Sequence, residues 1–322
     1  MGPLLLHHQW GETQYSIRAL PLGGYCKMLG EEESEEVYAG EASRTFMGKP
    51  WWVRFLILFA GPLMNFVLAL VMLFGMSAAT YVVEPVVTEL TANSPGEAAG
   101  LQVGDRICSI NGKKIFIYDQ MQVMMATLES DAPVTLEVER DGEMVTMVVQ
   151  PVYSEENGKY LIGFSPLILN GLFAEQVDGY ERASVGETIS YSFRSMIYDI
   201  MATAEGLVRF FTFRASRDEV GGPVAIFQIV GEGYDAGIQY SFGAALVNLT
   251  YIGAVLSANL GVLNLFPIPA LDGGQIVFVL IEAIRRKPLQ EETKGKLNFL
   301  GMVFLCTLMV MLFFGDISRL IQ

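Results

Sequence analysis

The stretch "NLFPIPALDGGQ", residues 264–275, lies in one of the most apolar regions of a 322-residue chain. Pro267, Pro269, Gly273 and Gly274 interrupt what would otherwise read as a membrane helix, and Asp272 places one carboxylate among them. An ionised Asp at mid-span costs roughly 2.5–3.5 kcal/mol on insertion scales, so such a group faces a partner, a water-filled cavity or a metal. Read as an isolated turn, Leu-Asp-Gly-Gly equally suits a helix cap with the side chain on backbone amides. The residues alone leave both readings open.

Working outward, residues 242–269 are apolar and "QIVFVLIEAI" continues the pattern to a basic cluster, Arg285, Arg286 and Lys287. Residues 297–314 read as a last span. Toward the N-terminus no charge occurs between Arg54 and Glu84, which exceeds the ~20 residues that cross the hydrocarbon core. Gly61 and Pro62 within that run suit close helix packing or a kink, and Asn65 needs a partner inside the protein. Between the spans, residues 84–155 change to short alternating runs. They carry an Asp141-Gly142 hairpin signal and one helical stretch, "YDQMQVMMATLES". This predicts a small α/β module carried between membrane segments.

The remaining segments are less regular. Residues 182–213 have helical apolar spacing, but Asp199, Glu205 and Arg209 oppose a simple lipid-facing span, so surface and membrane placements both stay open. "GGPVAIFQI" (221–229) is a Gly-Pro turn feeding an apolar run. In residues 1–50, Tyr15, Ile17 and Ala19 alternate with polar positions. Gly23 and Gly24 then precede Tyr25, Lys27 and Leu29, which predicts a β-hairpin turning at the glycines, followed by an acidic loop over Glu31–Glu36. The expected divisions are 1–50, 51–83, 84–155, 156–241, 242–288 and 289–322.

Composition agrees with this plan. The chain is 52% hydrophobic, and its mean hydropathy of +0.38 is above the usual soluble range, as expected with membrane spans. A net charge of −14 with no basic stripe excludes nucleic acid as a partner. The cysteines, Cys26, Cys108 and Cys306, form neither a disulfide framework nor a metal-binding CxxC. "MGPLLLHHQW" lacks the length and basic start of a signal peptide. If the α/β module lies outside, the loop with Arg285, Arg286, Lys287, Lys294 and Lys296 and the segment with Arg18, Lys27, Arg44, Lys49 and Arg54 fall on one side of the membrane. By charge that side is cytoplasmic.

The central stretch resembles the C-terminal signature of the site-2 protease family, the intramembrane zinc metalloproteases. The similarity continues along the chain in order. "YSIRALPLGGYCKMLGE" resembles the family's membrane-associated β-loop, "FAGPLMNFVLA" its second core helix, and "ANSPGEAAGLQVGDRICSINGKKI" a PDZ domain. "GGPVAIFQI" resembles the segment ahead of its third core helix. The resemblance implies a polytopic α-helical membrane protein with one inserted PDZ-like α/β domain and a short N-terminal membrane-associated β-hairpin. It implies that Asp272 is a zinc ligand and that Asn264, Pro267 and Pro269 line the substrate path. Gly23, Gly24 and Tyr25 would take substrate as an added strand. Pro95, Ala99, Gly100 and Leu101 would form the PDZ-like loop, with a possible peptide ligand. The implied setting is the bacterial cytoplasmic membrane, with the PDZ-like domain outside the cytoplasm. The implied substrates are single-pass membrane proteins such as anti-sigma factors and signal-peptide remnants.

One part of the family pattern is missing. Catalysis there uses HExxH, in which two histidines one turn apart bind zinc and the glutamate activates its water. The sequence has two histidines, the adjacent His7 and His8, which read as exposed loop residues rather than ligands. Alignment with the family pattern makes Met1 an internal methionine. It predicts that the first core helix is left out, so that the chain by itself holds an incomplete zinc site and is inactive. A different reading is a non-catalytic membrane scaffold presenting the PDZ-like module. A transporter with broken helices fits less, because it leaves that module unexplained.

Overall fold

The computed structural model describes residues 3–19, 26, 28–29, 44–128, 132–155, 158–214 and 221–321. The chain divides into two compact units: Met1–Ile57 with Val279–Pro288, and Leu58–Phe278 with Leu289–Gln322. Gly23, Gly24, Tyr25 and the acidic run lie outside the described residues.

In the smaller unit, strands β1 (Leu4–Trp10) and β2 (Thr13–Arg18) form an antiparallel hairpin. Its turn holds Gly11 at φ +62, a left-handed angle that glycine adopts without strain. Tyr15 and Ile17 are therefore in a strand as expected, but that strand pairs upstream with β1. The sequence reading missed β1 because His7, His8 and Gln9 dilute its alternation. Leu6 faces Ile17 and His8 faces Tyr15 across the ladder, so one exposed face carries Leu6, Trp10, Tyr15 and Ile17. His7 and His8 are strand residues rather than loop residues. They point to opposite faces and both are exposed. The same unit holds a buried ion pair, Arg54 Nη1 to Glu282 Oε2 at 2.7 Å.

The larger unit contains a PDZ-like α/β module and most of the helical framework. Helix α1 (Trp51–Ala79) runs into strand β3 (Tyr81–Leu90), then α2 (Pro95–Ala98), β4 (Arg106–Ile110), β5 (Lys113–Lys114), α3 (Tyr118–Ala126), β6 (Val134–Arg140) and β7 (Glu143–Val149). The short strands β8 (Val152–Ser154) and β9 (Lys159–Leu161) pair with each other. Strand β10 (Phe164–Asn170) returns to β3. The main sheet has order β10-β3-β4-β6-β7 with β5 on β4, every pairing antiparallel. It thus reaches Asn170, past the 84–155 stretch in which composition marks the module. Its core packs Val87, Ile107, Leu136 and Val138 from the strands against Met121 and Met125 of α3. Asp141 (φ +53) and Gly142 (φ +84) make the tight β6–β7 turn that the sequence signalled.

A charged pair fixes the module's edge. Asp105 is fully buried, and its two carboxylate oxygens accept from Arg140 Nε and Nη2, both at 2.7 Å, and from the Gln102 amide at 2.8 Å. Burial alone would raise this carboxyl, but the Arg140 guanidinium and the Gln102 amide outweigh it and hold it below its ordinary range. The stabilisation is therefore present above the unfolded value near 3.8 and is lost as pH falls through the lower folded value. Asp105→Ala is expected to destabilise the module by about 3 kcal/mol at neutral pH. The difference from wild type should shrink on acidification, and thermal melts of the detergent-solubilised protein at pH 7 and pH 3 check both.

Helices α4 (Val185–Phe211), α5 (Pro223–Ile238), α6 (Phe242–Asn264), α7 (Asp272–Arg285) and α8 (Glu291–Ile321) complete the chain. Of the described helices, three are long and apolar enough to cross a membrane: α1, α6 and the Glu291–Arg319 stretch of α8. The chain is a polytopic helical membrane protein with an inserted PDZ-like domain. Small residues let α1 and α6 approach closely. Gly261 lies against the Phe66 ring and Gly253 against Met72, and Ser257 Oγ donates to the Asn65 carbonyl at 2.9 Å. Helix α4 is amphipathic. Met196 and Ile200 on its apolar face pack with Leu73 and Ala254 of α1 and α6.

Candidate functional site

The segment around Asp272 is an irregular link between two helices. α6 stops at Asn264 and α7 starts at Asp272. Pro267 and Pro269 have no N–H to continue the helical ladder, and their rings obstruct it. The backbone between them closes locally, with Ile268 N–H donating to Phe266 O at 2.7 Å and Leu271 N–H to Ile268 O at 3.1 Å. Ala270 holds φ +81, an unfavourable angle for a residue with a Cβ, so the surroundings must enforce it.

The enforcing contacts come from α8 and α7. Asn298 Oδ1 accepts from the Ala270 amide at 3.3 Å and from Gln275 Nε2 at 2.9 Å. Gly273 and Gly274 lie against the carbonyl oxygens of Leu265, Phe266 and Ile268, where a Cβ would collide with backbone. Asp272 occupies the first turn of α7, where the positive end of the helix dipole favours an anion. Its carboxylate lies beside Gly61 of α1, and a Cβ there would sit 3.1 Å from Oδ2. The Gly-Pro of α1 therefore gives the acid its space. Asn264, half-buried, is the last residue of α6, while exposed Pro267 and half-buried Pro269 lie on the irregular link between Asn264 and Asp272.

Asn298 was not found by sequence reasoning. The available signal was a lone amide at the head of the last apolar run, which by the same logic as Asn65 calls for a protein partner.

A second feature is a groove in the PDZ-like module, between α3 and the segment from β9 into β10. It is lined by Tyr118, Met121 and Met125 on one side and Lys159, Ile162 and Phe164 on the other. Tyr118 and Phe164 meet edge to face at 6.2 Å, and Lys159 Nζ hydrogen-bonds Gln122 Oε1. Pro95, Ala99, Gly100 and Leu101, expected as the PDZ-like loop, lie outside this lining. They form α2 and its exit, with Leu101 in the core and Gly100 at φ +89. α2 supports the groove from behind, since the Gly96 amide donates to Ile162 O at 2.8 Å.

The sequence model of peptidase family M50 matches residues 1–308. The chain belongs to peptidase family M50. A relative from Clostridium acetobutylicum, named as a candidate zinc metalloprotease, is 33% identical over 98% of this M50 chain and 86% of its own length. Relatives with the same kind of name from Fusobacterium nucleatum (33%, covering 99% and 88%) and Staphylococcus aureus (34%, 99% and 90%) match as fully. Among solved structures, the PDZ domain of an SdrC-like protein from Listeria monocytogenes is similar over 27% of this chain and 87% of its own. That match has 16% identity and a TM-score of 0.24.

Zinc in a protein takes three or four ligands. Among the described residues of this M50 chain, no group of three His, Cys, Asp or Glu side chains could hold a metal ion. The described residues therefore hold no complete zinc site by themselves.

Proposed function

We propose that this chain carries the substrate-handling and third-ligand portion of an intramembrane zinc metalloprotease of the site-2 protease type. The observation that supports this most is Asp272. An acid is held at the start of a helix, beside a glycine cleared for it and directly after an irregular backbone segment, in a family of peptidases. Irregular backbone at membrane depth is tolerated where it is buried in protein or lines a water-filled cavity. That is what access of water and an extended substrate requires. In this reading Asp272 is one zinc ligand, and Asn264, Pro267 and Pro269 keep the segment open for the substrate backbone. Gly23, Gly24 and Tyr25 bind the substrate in this reading. The two further ligands come from an HExxH helix not among these 322 residues, so the chain alone hydrolyses nothing. The PDZ-like module lies outside the cytoplasm, and the substrates are single-pass membrane proteins.

The test is co-reconstitution of the chain with a separately supplied HExxH helix and a single-span model substrate. Cleavage is expected with both parts present. It should fall by at least about a thousandfold in Asp272→Ala, the scale of losing an essential electrostatic or metal-binding element. Cleavage by the chain alone would refute the assignment.

The groove supports a role for the module as a peptide-binding domain, which is also what a non-catalytic scaffold would present. Its apolar lining with one lysine at the rim suits a chain end with an apolar last side chain and a free carboxylate. Tyr118→Ala is expected to weaken binding of such peptides about tenfold or more, as for an aromatic contact at an interface centre. Fluorescence anisotropy on the intact protein in nanodiscs checks it.

A further inference from the structure

Helix α4 touches three parts of the larger unit. Near its start Arg194 is bidentate on Glu84 of β3. At mid-length Met196 and Ile200 pack on α1 and α6, and Thr203 Oγ1 hydrogen-bonds Asn259 Oδ1 of α6. At its end the Phe211 ring stacks on Phe266, centroids 5.0 Å apart and planes 9° from parallel. Phe266 belongs to the segment that leads into Asp272.

Within this interface Asp199 is only 7% exposed, and its Oδ2 has no hydrogen-bond partner among the described residues. Among the described residues no cation is paired with it. Arg194, the base earlier on the same helix, is engaged by Glu84. α1 presents Leu73, Met72 and Met76 to this cluster, all apolar. α6 contributes Tyr251 and Asn259, and α4 itself contributes Tyr191 and Tyr198. Asp119 of α3, acting on the same tyrosines, adds another acid rather than a counter-charge. Burial with nothing to offset it pushes the Asp199 carboxyl up to about 7. Burying an unpaired carboxylate costs several kcal/mol, whereas a protonated carboxyl is a modest polar group.

We propose that Asp199 is the proton-binding site of a latch: α4 is docked on α1 and α6 while the carboxyl holds its proton, and loosens when that proton leaves to solvent. Loosening breaks the Phe211–Phe266 stack and uncovers the segment that carries Asp272. The latch stands independently of the zinc assignment, because it involves neither metal nor hydrolysis. The folded value lies above the ordinary one. Docking is therefore strongest below the undocked value of about 4, falls as pH rises, and levels off above the folded value.

The test is amide hydrogen exchange over 196–211 in the intact protein in nanodiscs, corrected for intrinsic exchange, from pH 5 to pH 8. Protection is expected to fall on the order of a hundredfold across that range, the ratio linkage gives for a carboxyl moving between about 4 and about 7. The PDZ-like module's own protection should stay constant. Asp199→Asn should remove the pH dependence and leave α4 protected throughout. A flat wild-type profile overturns the proposal without reference to any variant. So does an Asp199→Asn profile that keeps the wild-type slope.

Discussion

Gly273→Val is expected to lower the melting temperature of the protein by roughly 5–10 °C, from a cost of about 3 kcal/mol or more. The size follows from what a new side chain would meet. Its Cβ would collide with the carbonyl oxygens of Leu265 and Phe266. A crowded side chain can change rotamer, but backbone oxygens move only if the 265–271 segment moves. That segment is tied by Asn298 to Ala270 and Gln275, so a shift breaks those bonds as well. Gly274→Val should behave alike, because its Cβ would meet Ile268 O. Gly231→Ala on α5 is the control. Nothing lies within 4 Å of its missing Cβ, and alanine in an open helical position is expected to be neutral or mildly stabilising. Differential scanning fluorimetry in detergent distinguishes these outcomes.

Asp316→Ala is expected to release the start of α5. Asp316 is 2% exposed and accepts from the amides of Gly222, Val224 and Ala225 at 3.0, 3.0 and 3.1 Å. Arg319 donates to the same carboxylate. The first amides of a helix have no partner within it, so a buried start depends on such an acceptor. Amide–carboxylate bonds are also stronger than neutral ones. Alanine removes all of them at once and leaves buried donors. Amide-exchange protection over 222–227 should fall about tenfold or more, with Asp316→Asn intermediate. The same contact explains Gly222, whose Cβ would sit 2.7 Å from the carboxylate. The "GGPV" motif reads from sequence as a turn. Its acidic partner near the end of α8 carried no local signal.

Features governed by local backbone chemistry were legible in advance. The long uncharged run gave α1, Asp141-Gly142 gave a hairpin turn, and two prolines gave the break before Asp272. Features that depend on distant partners were not. Strand β10 has no sequence mark tying it to β3, and the hairpin turn at Gly11 was hidden by the more conspicuous Gly23-Gly24. Gly61 was visible as a packing residue, but its neighbour is Asp272, far along the chain. The PDZ-like loop was legible as turn and core residues and gave no ligand contact. Pro95, Ala99, Gly100 and Leu101 stand out because turns and cores need them, and the same needs place them behind the groove. The groove itself is lined by Met121, Met125 and Ile162, which read as ordinary core.

The central claim is that this chain supplies one zinc ligand, Asp272, to a site completed by residues outside it. It is tested most directly by metal content. The purified chain, alone and co-reconstituted with an HExxH helix, is assayed for bound zinc by mass spectrometry, as wild type and as Asp272→Ala. The account predicts no stoichiometric zinc on the chain alone. It predicts about one zinc per wild-type complex and at least a tenfold loss of affinity in Asp272→Ala. A complex that binds zinc equally well with and without the Asp272 carboxylate would contradict it.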